Sequence, residues 1–279
     1  MYNITPISAF NDNYIWLIQS DKGNVVIDPG DAVPVIKFCE KENIIIDHII
    51  ITHHHYDHTG GVLGLKKNIR GQVIGPKNSN IAGIDKFVGD GDKFSIIGLS
   101  FDVLEVPGHT LDHLAFFASS NKRNILFCGD TIFSGGCGRV FEGTFSQMYD
   151  SICKLMNLPK NTEIYCAHEY TYSNLKFALE VEPNNENIKN HINDVEIKNK
   201  QNIPTIPTTL EFELNINPFL RFNKIELRKS MQDKYPNIND ASSEKVFEIL
   251  RQWTVSYTHL RAHETPEHLV CRVRREKKK

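Results

Sequence analysis

The 279-residue sequence predicts an α/β sandwich followed by a smaller helical domain. Three observations predict it. Short, nearly continuous apolar runs alternate with helical patterns as far as His168. Beyond His168 apolar residues recur at helical spacing instead. The composition, 40% hydrophobic and 24% charged, is that of a globular chain, which excludes wholesale disorder and collagen-like or coiled-coil architecture.

In chain order, residues 14–20 and 25–28 are apolar runs joined by a tight turn at 21–24, and both read as strands. Residues 32–43 carry a weak helical pattern, residues 48–52 a buried strand, and residues 61–69 a helix after it. Further strands are expected at 101–106, 114–118, 124–128 and 163–166, two of them ended by Pro107-Gly108 and Gly129-Asp130. In the second half, Leu175, Ala178 and Leu179 lie on one helical stripe, and Ile188, Ile192 and Val195 on another. Val246, Phe247, Ile249, Leu250 and Trp253 form a third, while Pro204 and Pro207 mark a linker. The expected domains are therefore 1–168, catalytic; 169–253, helical and substrate-binding; and 254–279, a tail.

The formal net charge is −2. The last 26 residues carry seven Lys/Arg and three Asp/Glu, which leaves 25 basic and 31 acidic residues in positions 1–253. A body at −6 excludes a dedicated nucleic-acid binder, and the basic tail reads as disordered and non-native. No run approaches the roughly 18 apolar residues of a membrane span, and no secretory leader is visible. Six cysteines without a C-x-x-C pair argue for reduced thiols and a cytoplasmic protein.

Four of the 12 histidines fall within Thr52-His53-His54-His55-Tyr56-Asp57-His58, directly after a strand. In an extended chain alternate side chains share a face, so His53, His55 and Asp57 are expected to point at one site. His58 joins them where the chain turns at Gly60-Gly61, and His54 points away. Burying imidazoles beside a carboxylate is costly unless a cation ligates them. His109, Asp130 and His168 each follow a predicted strand, in Val106-Pro107-Gly108-His109-Thr110, Phe127-Cys128-Gly129-Asp130-Thr131 and Tyr165-Cys166-Ala167-His168-Glu169. His113 reads as an outer partner that orients a ligand, His48 and His191 as structural or exposed, and Asp28 as either a turn residue or an outer carboxylate.

The T-H-x-H-x-D-H pattern resembles the signature of the metallo-β-lactamase superfamily. That resemblance implies an αββα sandwich and two adjacent divalent metals, zinc first, with iron and manganese equally suited to the donors. It implies that His53, His55 and His109 hold one metal and that Asp57, His58 and His168 hold the other. Asp130 and a hydroxide would bridge a pair roughly 3.5–4 Å apart. Asp57 and Asp130 are then the catalytic carboxylates.

The segments Gly136-Cys137-Gly138-Arg139-Val140-Phe141-Glu142-Gly143-Thr144 and His168-Glu169-Tyr170-Thr171-Tyr172-Ser173-Asn174-Leu175-Lys176-Phe177 are similar to glyoxalase II. So are Asp12-Asn13-Tyr14 and Asn217-Pro218-Phe219-Leu220-Arg221, and the similarity runs over positions 1–253. It implies hydrolysis of S-D-lactoylglutathione to D-lactate and glutathione, the second step of methylglyoxal detoxification. The partner is a small glutathione thioester, with no nucleic acid or membrane, and a monomer is expected.

Arg139, Phe141, Tyr170, Asn174 and Arg251 match the family's substrate-binding positions. Phe141 stands where many relatives carry Tyr, and Thr254 stands where a Lys is expected. The rival readings are a mononuclear-iron persulfide dioxygenase of the same superfamily and a metal-binding pseudoenzyme with an impaired pocket. Retention of Asp57, His58 and His168 together with the helical region favours the hydrolase.

Overall fold

A computed structural model describes residues 2–120 and 123–262. Two six-stranded sheets form the body. The first orders β1 (Tyr2–Ala9), β2 (Asn13–Ser20), β3 (Gly23–Ile27), β4 (His48–Ile50), β5 (Val73–Pro76) and β6 (Lys86–Val88) from edge to edge. The second contains β7 (Lys93–Ile96), β8 (Leu99–Glu105), β9 (Leu114–Ser119), β10 (Asn124–Gly129), β13 (Thr162–Cys166) and β14 (Thr208–Thr209), in the order β14-β13-β10-β9-β8-β7. A short ribbon, β11 (Ile132–Phe133) with β12 (Gly136–Cys137), stands beside it.

The nearly continuous apolar runs are explained by burial on both faces. Trp16 and Ile18 of β2, Val25 and Ile27 of β3 and Ile50 of β4 share one core with Phe101, Val103, Phe116 and Phe127 of the second sheet. Their alternates, Ile15, Leu17, Val26, Ile49 and Ile51, lie in a separate core with Val35 of helix α1 (Ala32–Glu42). The same outer core takes in Val62 and Leu65 of α3 (Val62–Lys66), which follows the one-turn α2 (Tyr56–Thr59). β3, β4, β5 and β6 run parallel, and strands of that kind need both faces covered. The layers are therefore helix, sheet, sheet, helix, as expected.

Helix α4 (Phe145–Met156) covers the second sheet with Met148, Ile152 and Leu155. The remaining helices are α5 (Thr171–Val181), α6 (Glu186–Lys200), α7 (Leu210–Ile216), α8 (Ile225–Met231) and α9 (Ser243–Ala262). Leu175, Ala178, Ile188, Val195 and Ile216 give α5, α6 and α7 a small core of their own. Phe177, Phe219, Phe247, Leu250 and Trp253 instead join the main core, so apolar packing runs continuously across His168.

Several elements were not expected from the sequence. β1 is an edge strand carrying Pro6, which weakens its strand signal while an edge tolerates it. Helix α4 opens on a capping box, in which Gln147 N–H donates to Thr144 Oγ1 (3.1 Å) and Thr144 N–H donates to Gln147 Oε1 (2.9 Å). Thr144→Ala should lower stability by about 1 kcal/mol, read from the shift in denaturation midpoint, and Thr144→Ser should restore most of it.

The unstructured tail expected from position 254 does not begin there, because α9 runs on to Ala262. Thr254 Oγ1 donates to Leu250 O (2.8 Å), and Tyr257 packs 5.5 Å from Phe177, one turn beyond Trp253 on the same face. Positions 263–279 lie outside the described residues, and with them the rest of that expectation. Among the described residues no helix is long and apolar enough to cross a membrane.

Candidate metal centre

The loops at one end of the sandwich bring the predicted ligands together. After β4 the chain stays extended through His53 and His55, tied to β9 by Leu114 N–H donating to Thr52 O (2.8 Å). It turns at Tyr56, earlier than expected, because His58 N–H and Thr59 N–H both donate to His55 O (3.0 and 3.1 Å). Asp57 and His58 thus arrive on a helical turn, and Asp57 does not share an extended face with His53 and His55. Gly30 lets this turn approach, since a Cβ there would sit 1.9 Å from Asp57 O. Asp130 enters from the end of β10 after Gly129, whose φ of +47° is left-handed and whose Cβ would meet Thr52 Oγ1 at 2.5 Å. His168 follows β13, and His109 follows β8.

All seven residues converge. His55 Nδ1 lies 3.1 Å from His53 Nε2 and 3.0 Å from His109 Nε2. On the other side, Asp57 Oδ2 is 3.6 Å from His58 Nε2 and 3.4 Å from His168 Nε2. Asp130 stands between the two groups, with Oδ2 3.3 Å from both His109 Nε2 and His168 Nε2 and Oδ1 3.5 Å from His58 Nε2.

The far nitrogens show which lone pairs are free. His58 Nδ1 faces Asp28 Oδ2 (3.0 Å), His109 Nδ1 faces Arg139 O (2.7 Å) and His168 Nδ1 faces Asp12 Oδ1 (2.8 Å). Each acceptor fixes a proton on Nδ1 and turns Nε2 inward, as the nitrogen available to a cation. His53 Nδ1 faces Thr52 Oγ1 (3.0 Å), and that hydroxyl in turn donates to Asp28 Oδ2 (2.7 Å). Asn13 Nδ2 donates to Asp57 Oδ2 (2.9 Å).

The donor set fits metal. His58 Nε2 and Asp130 Oδ1 are buried and have no hydrogen-bond partner, a costly state that a cation between the groups relieves. Burial holds His53, His55 and His109 below the ordinary imidazole pKa, so they are neutral donors. Burial also disfavours charge on His58 and His168, but Asp130 outweighs it. His58 is lifted well above the usual value and His168 to about 10. Asp57 and Asp130 are held well below the carboxylate range despite burial, through His168 and His58. Protons on two imidazoles therefore balance two carboxylates in the metal-free chain, and a bound cation replaces those protons.

The other histidines divide as expected. His54 points away, Nδ1 to Asp112 Oδ1 (2.9 Å) and Nε2 to Glu142 Oε1 (3.1 Å). His113 is an outer partner, its Nε2 accepting from Asp130 N–H (3.1 Å) while its ring stacks 4.4 Å from that of His53. His48 Nδ1 accepts from Gln72 N–H, and His191 packs on Phe212. Asp28, read either as turn or as outer carboxylate, is both: φ is +53° and its side chain holds Thr52 and His58. Asp12 and Asn13 were not singled out for the centre, although the Asp12-Asn13-Tyr14 motif that contains them was visible.

A cavity of about 530 Å³ opens over the centre, lined by His55, Asp57, His109, Asp130 and His168 together with Phe133, Arg139, Phe141 and Tyr170. Tyr170 stacks on His168 at 4.7 Å, and the Arg139 guanidinium lies 5.1 Å over the Phe141 ring. Asn174 and Arg251, expected to bind substrate, are not among the side chains that line it. Asn174 Nδ2 donates to Ser134 O (3.1 Å), and the buried Arg251 reaches Cys137 O (3.5 Å), so both brace the β11–β12 ribbon. Asn217 does the same, donating to Phe133 O (3.1 Å) and Gly136 O (2.9 Å).

Residues 10–168 match the family model for the metallo-beta-lactamase superfamily, and residues 169–255 match that for the hydroxyacylglutathione hydrolase C-terminus. The chain is similar to a hydroxyacylglutathione hydrolase of Photobacterium profundum, 49% identical over 91% of this chain and 98% of that one. It is 48% identical to one of Vibrio campbellii over the same shares. Among solved structures, ETHE1 from Myxococcus xanthus shares the fold, with a TM-score of 0.60 and 22% identity over 89% of this chain and 95% of that one.

Proposed function

Because the chain belongs to the hydroxyacylglutathione hydrolase (glyoxalase II) family of the metallo-β-lactamase superfamily and is a thioester hydrolase, we propose that it hydrolyses S-D-lactoylglutathione to D-lactate and glutathione with two divalent metals. The observation that carries the two-metal reading is Asp130 Oδ2, equidistant at 3.3 Å from one imidazole of each triad. His53, His55 and His109 hold one metal, and Asp57, His58 and His168 the other. Zinc leads, and the imidazole and carboxylate donors suit iron and manganese as well.

When bound, the metals polarise the thioester carbonyl and make hydroxide available by lowering the pKa of coordinated water to about 7. The protein supplies the rest. Asp57 lines the cavity ionised, its Oδ2 held by Asn13, and accepts a hydrogen bond from the attacking water. The Tyr170 hydroxyl is kept protonated by burial and by the carboxylates around it, so it serves as a donor to substrate. Phe133 and Phe141 give the cavity apolar walls, and the exposed Arg139 presents a cation to the carboxylates of glutathione. The leaving thiolate derives from a thiol of pKa about 8.5, so no dedicated acid is required. Asn174 and Arg251 serve from behind by holding the ribbon that carries Phe133.

This reading takes the catalytic unit as 1–168 and the helical unit as 169–253, and the enzyme as a cytoplasmic monomer. The reduced, buried Cys128, Cys137 and Cys166 support the compartment. Loss of thioester absorbance on adding S-D-lactoylglutathione to the metal-loaded protein tests the activity, and oxygen uptake with a persulfide instead of hydrolysis would overturn it. Arg139→Ala should raise KM about tenfold with kcat little changed. Unchanged KM would remove Arg139 from substrate binding.

A further inference from the structure

The two triads lean on different chemistry. His53 and His109 rest on neutral partners, the Thr52 hydroxyl and the Arg139 carbonyl. His168 rests on a carboxylate from the far end of the chain, Asp12, 156 positions away. The turn between β1 and β2 carries that residue, and the same turn is stitched to the end of β13 by two backbone bonds. Tyr14 N–H donates to Ala167 O (2.7 Å) and Glu169 N–H donates to Asp12 O (2.8 Å), which together pair Asn13 with His168 as an antiparallel bridge. Beside Asp12, the buried Asn13 amide donates to Asp57 Oδ2. One hairpin turn therefore holds two of the three ligands in the second triad, and among the described residues its side chains make no hydrogen bond or ion pair with His53, His55 or His109.

We propose that Asp12 and Asn13 are positioning residues that set the occupancy of the Asp57–His58–His168 metal position without acting on the His53–His55–His109 position. The Asp12 carboxylate accepts the His168 Nδ1 proton, fixes the ring so that Nε2 faces inward, and strengthens that nitrogen as a donor. Asn13 fixes the rotamer of Asp57 by occupying one lone pair of Oδ2, which leaves the remaining lone pairs for the cation. Backbone stitching keeps both residues in register even where the side chain is trimmed.

This assignment rests on the two-metal reading, and the test separates the two. Wild type, Asp12→Ala, Asp12→Asn and Asn13→Ala are loaded with zinc and dialysed against a competing chelator, and metal per chain is measured. Wild type should retain two ions, and Asp12→Ala should retain one, with the affinity of the weaker position lowered about 10–100-fold. Asp12→Asn keeps an oxygen acceptor without the charge and should fall between them, and Asn13→Ala should lose the same position. The metal-free variants should still melt cooperatively within a few degrees of wild type, with metal loss confined to one position, which a merely structural role would not give. Two ions held as in wild type, or parallel loss of both, would overturn the role of the turn. Fewer than two ions in wild type would overturn the two-metal reading and this assignment with it.

Discussion

Asp130→Asn is expected to lose metal and activity together. Asp130 is 6% exposed and is the only described side chain whose carboxylate oxygens reach imidazoles of both triads. An amide of the same shape removes one negative charge from the middle of the centre. It also turns one oxygen into an NH₂ group. If the nitrogen replaces Oδ2, its hydrogens point at His109 Nε2 and His168 Nε2; if it replaces Oδ1, they point at His58 Nε2. In either rotamer a donor occupies a place where a cation must be shared. Metal content should fall from two ions per chain to one or fewer, and turnover by at least about 100-fold, the upper end of what loss of an outer partner costs. The backbone is not the cause, because His113 holds Asp130 N–H independently of the side chain. Metal analysis beside single-turnover hydrolysis checks this, and full two-ion occupancy with normal turnover would show that Asp130 does not bridge.

That centre was largely legible in the sequence because its ligands are chemically unusual where they stand. Four metal-competent groups within six residues have few other uses, and His109, Asp130 and His168 each follow a strand that an apolar run reveals. The sandwich was legible for the same reason, since β2, β3 and β4 are buried on both faces and carry almost no polar interruption. What escaped was set by tertiary context. The helical turn at Tyr56 follows from two hydrogen bonds to one carbonyl, which spacing alone does not reveal. Asn174 and Arg251 are polar residues in a motif, and only the folded chain shows their hydrogen bonds spent on the β11–β12 ribbon. The extension of α9 past Trp253 rests on Tyr257 finding Phe177, a contact 80 positions apart in sequence.

The second large effect is expected at a residue that touches no metal. Asp28 is buried and accepts three hydrogen bonds: Thr52 N–H to Oδ1 (2.7 Å), Thr52 O–H to Oδ2 (2.7 Å) and His58 Nδ1–H to Oδ2 (3.0 Å). Asp28→Asn preserves size and tolerates the left-handed backbone, so the fold should survive. Its chemistry does not survive. With the amide oxygen kept on Thr52 N–H, the NH₂ group faces His58 Nδ1, which then has to accept. The imidazole proton moves to Nε2, the atom 3.6 Å from Asp57 and 3.5 Å from Asp130, and the inward lone pair is lost. Flipping the amide only transfers the clash to Thr52 N–H. The affinity of the His58 position for zinc should fall about 10–100-fold, while the His53 position keeps its ion. Asp28→Ala should add a fold defect of about 1–3 kcal/mol for each Thr52 group left unpaired. The tautomer is the discriminating readout: ring nitrogen NMR shifts of the zinc-loaded protein should place the His58 proton on Nδ1 in wild type and on Nε2 in Asp28→Asn. If Nδ1 stays protonated in the variant, or if both ions bind as before, then something other than Asp28 governs which face of that imidazole is available to a cation.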